Sequence, residues 1–158
     1  MYKRLLVVVD KRPVSRAAVA EGIALAKDQG AELFFFYALP LYPMPLADVP
    51  PFVVVPPAAF QDAANEEAEA LLARVHALAS KAGVSLRNIK GRGDDPAHNI
   101  VDAARRRRCD LIIVASAGRN AVLRLLTGSV IPALITASPI PVLICQAAAK
   151  ASAVSRQS

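Results

Sequence analysis

Apolar residues recur along this chain with two alternating periods. Leu5 to Val9 is an unbroken β-rich apolar run, the pattern of a strand buried on both faces. The spacing then changes to a helical one: Ala18, Val19, Gly22, Ile23 and Ala26 share one face between Ser15, a capping residue type, and Gly30, a residue suited to closing a helix. Glu32 to Ala38 is apolar and aromatic again and predicts the second strand. From about Ala58 to Ala82 a long helix is expected, with Ala68, Leu71, Leu72, Val75, Leu78 and Ala79 on one stripe and Gly83 ending it. Ser85 to Lys90 reads as a short third strand near a sheet edge, because polar residues interrupt it.

The alternation continues to the last strand. Asp95-Pro96 has the signature of a helix start, with Asp95 as cap, Pro96 in the first helical position, and Ile100, Val101 and Ala104 facing inward. Asp110 to Val114 is the fourth strand, Ser129 to about Ala137 a helix, and Val142 to Cys145 the fifth strand. Alternating strands and helices imply an α/β domain with a mostly parallel sheet covered on both faces. Two segments break the rhythm. Leu39 to Pro57 holds seven prolines among apolar residues, a connection expected to fold over the sheet's carboxyl end, to pack on a partner subunit, or to stay disordered. Residues 147–158 lose the apolar pattern and read as a flexible tail, leaving 1–146 as the domain.

Composition narrows the function classes. A chain of 158 residues suits one domain, and no apolar run approaches the ~18 residues of a membrane span. The opening basic residues and short apolar run lack a signal peptide's core and cleavage site, so a cytoplasmic location is expected. The net charge of +6 raises nucleic acid as a partner, yet the cations are dispersed except for Arg105 to Arg108. That run closes a predicted helix and has no interleaved aromatic residues, so it reads as a solvated helix end. Cys109 and Cys145 fall at opposite ends of two strands and read as packing residues. His76 and His98 stand apart from any candidate nucleophile, and no P-loop lysine motif or zinc spacing occurs.

The stretch with chemical content is Ala115 to Val130, ASAGRNAVLRLLTGSV. It follows an apolar strand, contains Gly118 and Gly128 with nine residues between them, and enters a helix at Gly128-Ser129. Small residues let backbone amides approach an anion, and a helix N-terminus adds unpaired donors and a favourable dipole. The stretch therefore reads as a phosphate-binding loop.

This pattern resembles the universal stress protein family, whose nucleotide-binding members carry G-x2-G-x9-G-[ST] after the fourth strand. Here Ala115 stands at the first glycine, and Gly118, Gly128 and Ser129 match the rest. The resemblance extends to Lys3–Asp10, to Asp95-Pro96-Ala97 and to Pro139–Ile144. It implies a Rossmann-like open twisted five-stranded parallel sheet of order 3-2-1-4-5. It also implies an adenine nucleotide, ATP first among candidates, with Mg or Mn as an accompanying ion. Carried over by position, Asp10 would accept hydrogen bonds near the ribose and adenine, and Val9 and Ala38 would flank the base. Ala115, Gly118, Gly128, Ser129 and Val130 would form the phosphate loop, and Arg119 and Arg124 could neutralise phosphate charge. Three departures stand out: Ala115 itself, Lys11-Arg12 where binders often have Gly-Ser, and Pro132, which removes one amide from the helix's first turn.

The functional expectation is a nucleotide-dependent regulatory, stress-response module, not an enzyme, acting on an unknown protein partner and binding neither nucleic acid nor membrane. The resemblance implies homodimers through the last strand, where Ile140, Val142, Leu143 and Ile144 form an apolar edge. The alternatives are an interaction module of the same family that has lost nucleotide binding and, more weakly, a slow nucleotide hydrolase. Efficient phosphoryl transfer needs concentrated positive charge at the γ-phosphate, and no Lys follows Gly128.

Overall fold

Side chains alternate between the two faces of a strand, so a strand apolar at every position must be covered on both sides. The computed structural model, which describes residues 1–40, 57–116 and 130–146, meets that demand with five strands and the helices between them. The strands are β1 (Arg4–Val9), β2 (Glu32–Leu39), β3 (Leu86–Arg92), β4 (Leu111–Ser116) and β5 (Val142–Gln146). The helices are α1 (Ser15–Gln29), α2 (Pro57–Lys81), α3 (Pro96–Arg106) and α4 (Val130–Ala137). The strands form one parallel sheet in the order β3-β2-β1-β4-β5, as the resemblance implied. Chain order reverses at β1, with β2 on one side and β4 on the other.

Alternation divides the core in two. Leu5, Val7, Leu33, Phe35 and Ile113 point toward α1 and α2, whereas Leu6, Phe34, Phe36, Ile112 and Val114 point toward α3 and α4. All ten are nearly inaccessible to water. Each such side chain contributes about 1.5–3 kcal/mol, more than an exposed ion pair at ~0–1 kcal/mol, so burial on both faces dominates the stability of the sheet. Gly22 allows α1 to lie close on β1, since a Cβ there would run into the side chain of Val7.

Local signals hold at most boundaries. Gly30 closes α1 at φ 64°, donating its amide to Ala26 O, and Asp95 caps α3 by accepting the His98 amide at 2.9 Å. Ser15 departs from expectation: it is the first residue of α1 and caps nothing. Its Oγ instead accepts the Asp10 amide at 3.1 Å, which ties the end of β1 to the start of the helix. The stripe on α2 is narrower than its periodicity suggests. Ala68, Leu72, Val75 and Ala79 are buried, but Leu71 is half-buried and Leu78 is 55% exposed. β3 runs two residues further than expected, to Arg92, through backbone pairing with Leu39. Both cysteines are free. Cys109 precedes β4, while Cys145 lies level with Ala115 near the far end of the same ladder.

Candidate nucleotide site

The sheet opens at its carboxyl end between β1 and β4. β1 stays paired with β2 up to Val9↔Tyr37, but its ladder with β4 ends at Val7↔Ile113. Two residues further along each strand, Val9 and Ala115 therefore flank a gap where the ladder has stopped. A gap outside the carboxyl ends, where strand order reverses, is where open α/β sheets bind ligands.

Of the residues expected to carry the chemistry, Val9, Asp10, Ala38 and Ala115 all lie at this end of the sheet. Val9 and Ala115 are buried, whereas Ala38 is exposed and paired in register with Gly91 of β3. Val130 begins α4, half-buried against the α3-side core. Pro132 falls in the first turn of that helix, and its carbonyl accepts the Thr136 hydroxyl at 2.9 Å. Gly118, Arg119, Arg124, Gly128 and Ser129 lie outside the described residues, as do most of the Pro-rich connection and the tail.

Asp10 is the best defined member of the group, and its carboxylate is already engaged. Oδ1 accepts the backbone amide of Arg12 at 2.8 Å, while Oδ2 accepts Nε at 3.0 Å and Nη2 at 2.6 Å of the Arg12 guanidinium. The hydrogen bond to Asp10 raises the Arg12 pKa still further, so the cation is permanent. Sequence reading flagged Lys11-Arg12 as a departure but missed this clamp. The Asp-x-Arg spacing in a tight turn was the available signal. Beside it, Lys11 Nζ lies 3.3 Å from Glu67 Oε1 on α2. Tyr37, buried at the end of β2, has its phenol pKa pushed up by desolvation and then by Glu67. The mouth of the crevice is thus a set of opposed charges on an apolar floor.

The histidines stay apart from this group. His76 shares a 3.3 Å hydrogen bond with Ser80 one turn along α2, and His98 lies exposed in the first turn of α3. Among the described residues, no group of three His, Cys, Asp or Glu could hold a metal ion, and no helix is long and apolar enough to cross a membrane.

Sheet order and crevice together define a doubly wound α/β protein with an open crevice at its switch point. The sequence model of the universal stress protein family matches residues 1–146, and the chain belongs to that family. A universal stress protein of Methanocaldococcus jannaschii is 30% identical over 148 residues, covering 91% of this chain and 82% of the relative. Among solved structures, a universal stress family protein from Burkholderia pseudomallei superposes with a TM-score of 0.73 at 24% identity, over 92% of this chain and 97% of the other. A universal stress protein in complex with cAMP gives 0.67 at 23% identity, over 90% and 96% of the two chains. The Archaeoglobus fulgidus universal stress protein in complex with dAMP gives 0.66 at 20% identity, over 91% and 98%.

Proposed function

We propose that this protein binds an adenine nucleotide in the β1/β4 crevice and acts as a nucleotide-dependent regulatory module without appreciable turnover. One observation carries the reading: the β1–β4 ladder stops short, so Val9, Asp10 and Ala115 flank an open cleft at the switch point. Family membership and the cAMP- and dAMP-bound neighbours support adenine as the base. ATP is the preferred ligand, on the strength of the Gly118-x9-Gly128-Ser129 motif. A divalent ion, Mg or Mn, would enter with the phosphates. A cytoplasmic homodimer paired through β5 completes the proposal. Its support is Ile144, which is 37% exposed on that edge strand, whereas Leu143 packs inward on the α1-side core. Ile144→Lys should therefore weaken dimers without unfolding the subunit, and sedimentation equilibrium across a dilution series reads the change.

The Asp10–Arg12 clamp favours a second reading, an interaction module of the same family whose nucleotide site has closed. Small molecules released on denaturing freshly purified protein, identified by mass spectrometry, separate the two. Near-stoichiometric adenine nucleotide is expected. If the protein is empty and calorimetric titration with ATP and AMP is also flat, the second reading replaces the first.

A further inference from the structure

A separate cavity of about 590 Å3 lies between α1 and α2, within the usual range of small-ligand pockets. It arises because α1 packs mainly over β1 and β4 while α2 packs over β2 and β3, which leaves a groove between the two helices. Val19 and Ile23 from α1 and Leu71, Val75 and Leu78 from α2 line it. The exposure of Leu78 and the partial burial of Leu71 and Ile23 follow from this gap.

The charges along the cavity are unequally matched. Lys11 is answered by Glu67 and Arg12 by Asp10. Arg16 and Arg74 also line the cavity, and neither takes part in an ion pair or side-chain hydrogen bond among the described residues. Five cavity groups are charged, Asp10, Lys11, Arg12, Arg16 and Arg74, and only one of them is negative. An apolar wall suits a hydrocarbon, while unanswered guanidinium groups suit a carboxylate, which they bind through forked N–H donors.

We propose that the α1–α2 groove binds an amphipathic anion, an acyl chain ending in a carboxylate. The chain lies along Val19, Ile23, Leu71, Val75 and Leu78, and Arg16 and Arg74 take the head group. The site is distinct from the β1/β4 crevice, although Asp10 and Arg12 lie at the mouth of both.

The test is calorimetric titration of the full chain with dodecanoate, with dodecyltrimethylammonium of the same chain length as comparator. Saturable one-site binding of dodecanoate with little binding of the cation is the expected result. The paired reversal R16E/R74E, at two exposed positions, should weaken dodecanoate at least about tenfold while leaving AMP affinity and thermal stability unchanged. Ala20→Trp, which projects a ring into the groove from an exposed position on α1, should abolish binding of dodecanoate alone. Equal binding of the two amphiphiles, no saturable dodecanoate binding, or wild-type affinity in a folded R16E/R74E protein would each overturn the proposal.

Discussion

Two aspartates sit at opposite ends of the same sheet, and their surroundings explain the different parts they play. At the amino end, Asp110 accepts the backbone amides of Lys3 at 2.8 Å and Arg4 at 3.1 Å, while its own amide donates to Arg4 O at 2.9 Å. It fastens the start of β1 to the start of β4, and its partners cannot leave without unravelling the strand. At the carboxyl end, two of the three bonds to the Asp10 carboxylate come from the side chain of Arg12, which is more than half exposed and not fixed by the strand ladder. A carboxylate held by backbone is structural. One held by a movable surface cation can be handed to a ligand.

The largest effect should come from breaking the structural member. Asp110→Ala removes two charge-assisted hydrogen bonds and should lower stability by about 1.5–3 kcal/mol in urea denaturation, with nucleotide affinity unchanged. A loss below about 0.5 kcal/mol would erase the contrast between the two ends.

The amino end should also be the more sensitive to alkali. Burial, reinforced by Asp110, pushes the Cys109 thiol up to about 12. A thiol that ionises near 9 when unfolded but stays protonated when folded adds stability that is complete below pH 9 and is lost as pH rises toward 12. This group should lower stability by up to about 1.4 kcal/mol per pH unit over that window, and Cys109→Ala should remove its share of the slope. Tyr37 has the same sign but starts from 10, and Cys145, pushed up from 9 by desolvation and then by Glu21, titrates with the same sign, so comparing Cys109→Ala with Cys145→Ala assigns the slope between pH 9 and 10.

At the carboxyl end the change should appear in binding. Asp10→Ala should weaken AMP about tenfold, or ~1.4 kcal/mol, and move the urea midpoint little. Equal affinity would remove Asp10 from the site. The smallest effect is expected of Arg12→Ser, which frees the Asp10 carboxylate. AMP should bind a few-fold more tightly, because breaking an exposed ion pair releases less than about 1 kcal/mol. Weaker binding would mean that Arg12 contacts the nucleotide directly.

Much of this architecture was legible in the residue pattern because burial obeys simple periods. The run Leu5–Val9 read as a strand covered on both faces and Glu32–Ala38 as the second strand, and Asp95-Pro96 and Gly30 marked helix ends through local backbone chemistry. Ser15 misled because a capping side chain has more than one donor within reach. Here it accepts the Asp10 amide, and no side-chain hydrogen bond caps the helix. Leu78 falls on the apolar stripe yet is exposed, because periodicity reports a face and not the distance to the next helix, whereas Leu71 on the same stripe packs partly buried against the core.

The sequence by itself determined the order of elements, the two-sided core and the chemistry available at the strand ends. These follow from side-chain polarity and local conformational preference. Only the tertiary structure decided that the β1–β4 ladder stops at Val7, that Arg12 closes on Asp10, that Asp110 is bound to β1, and that α1 and α2 leave a basic-rimmed groove between them. Each of these depends on the separation of groups remote in sequence or on the geometry of a particular turn, and neither is written in a hydrophobic period.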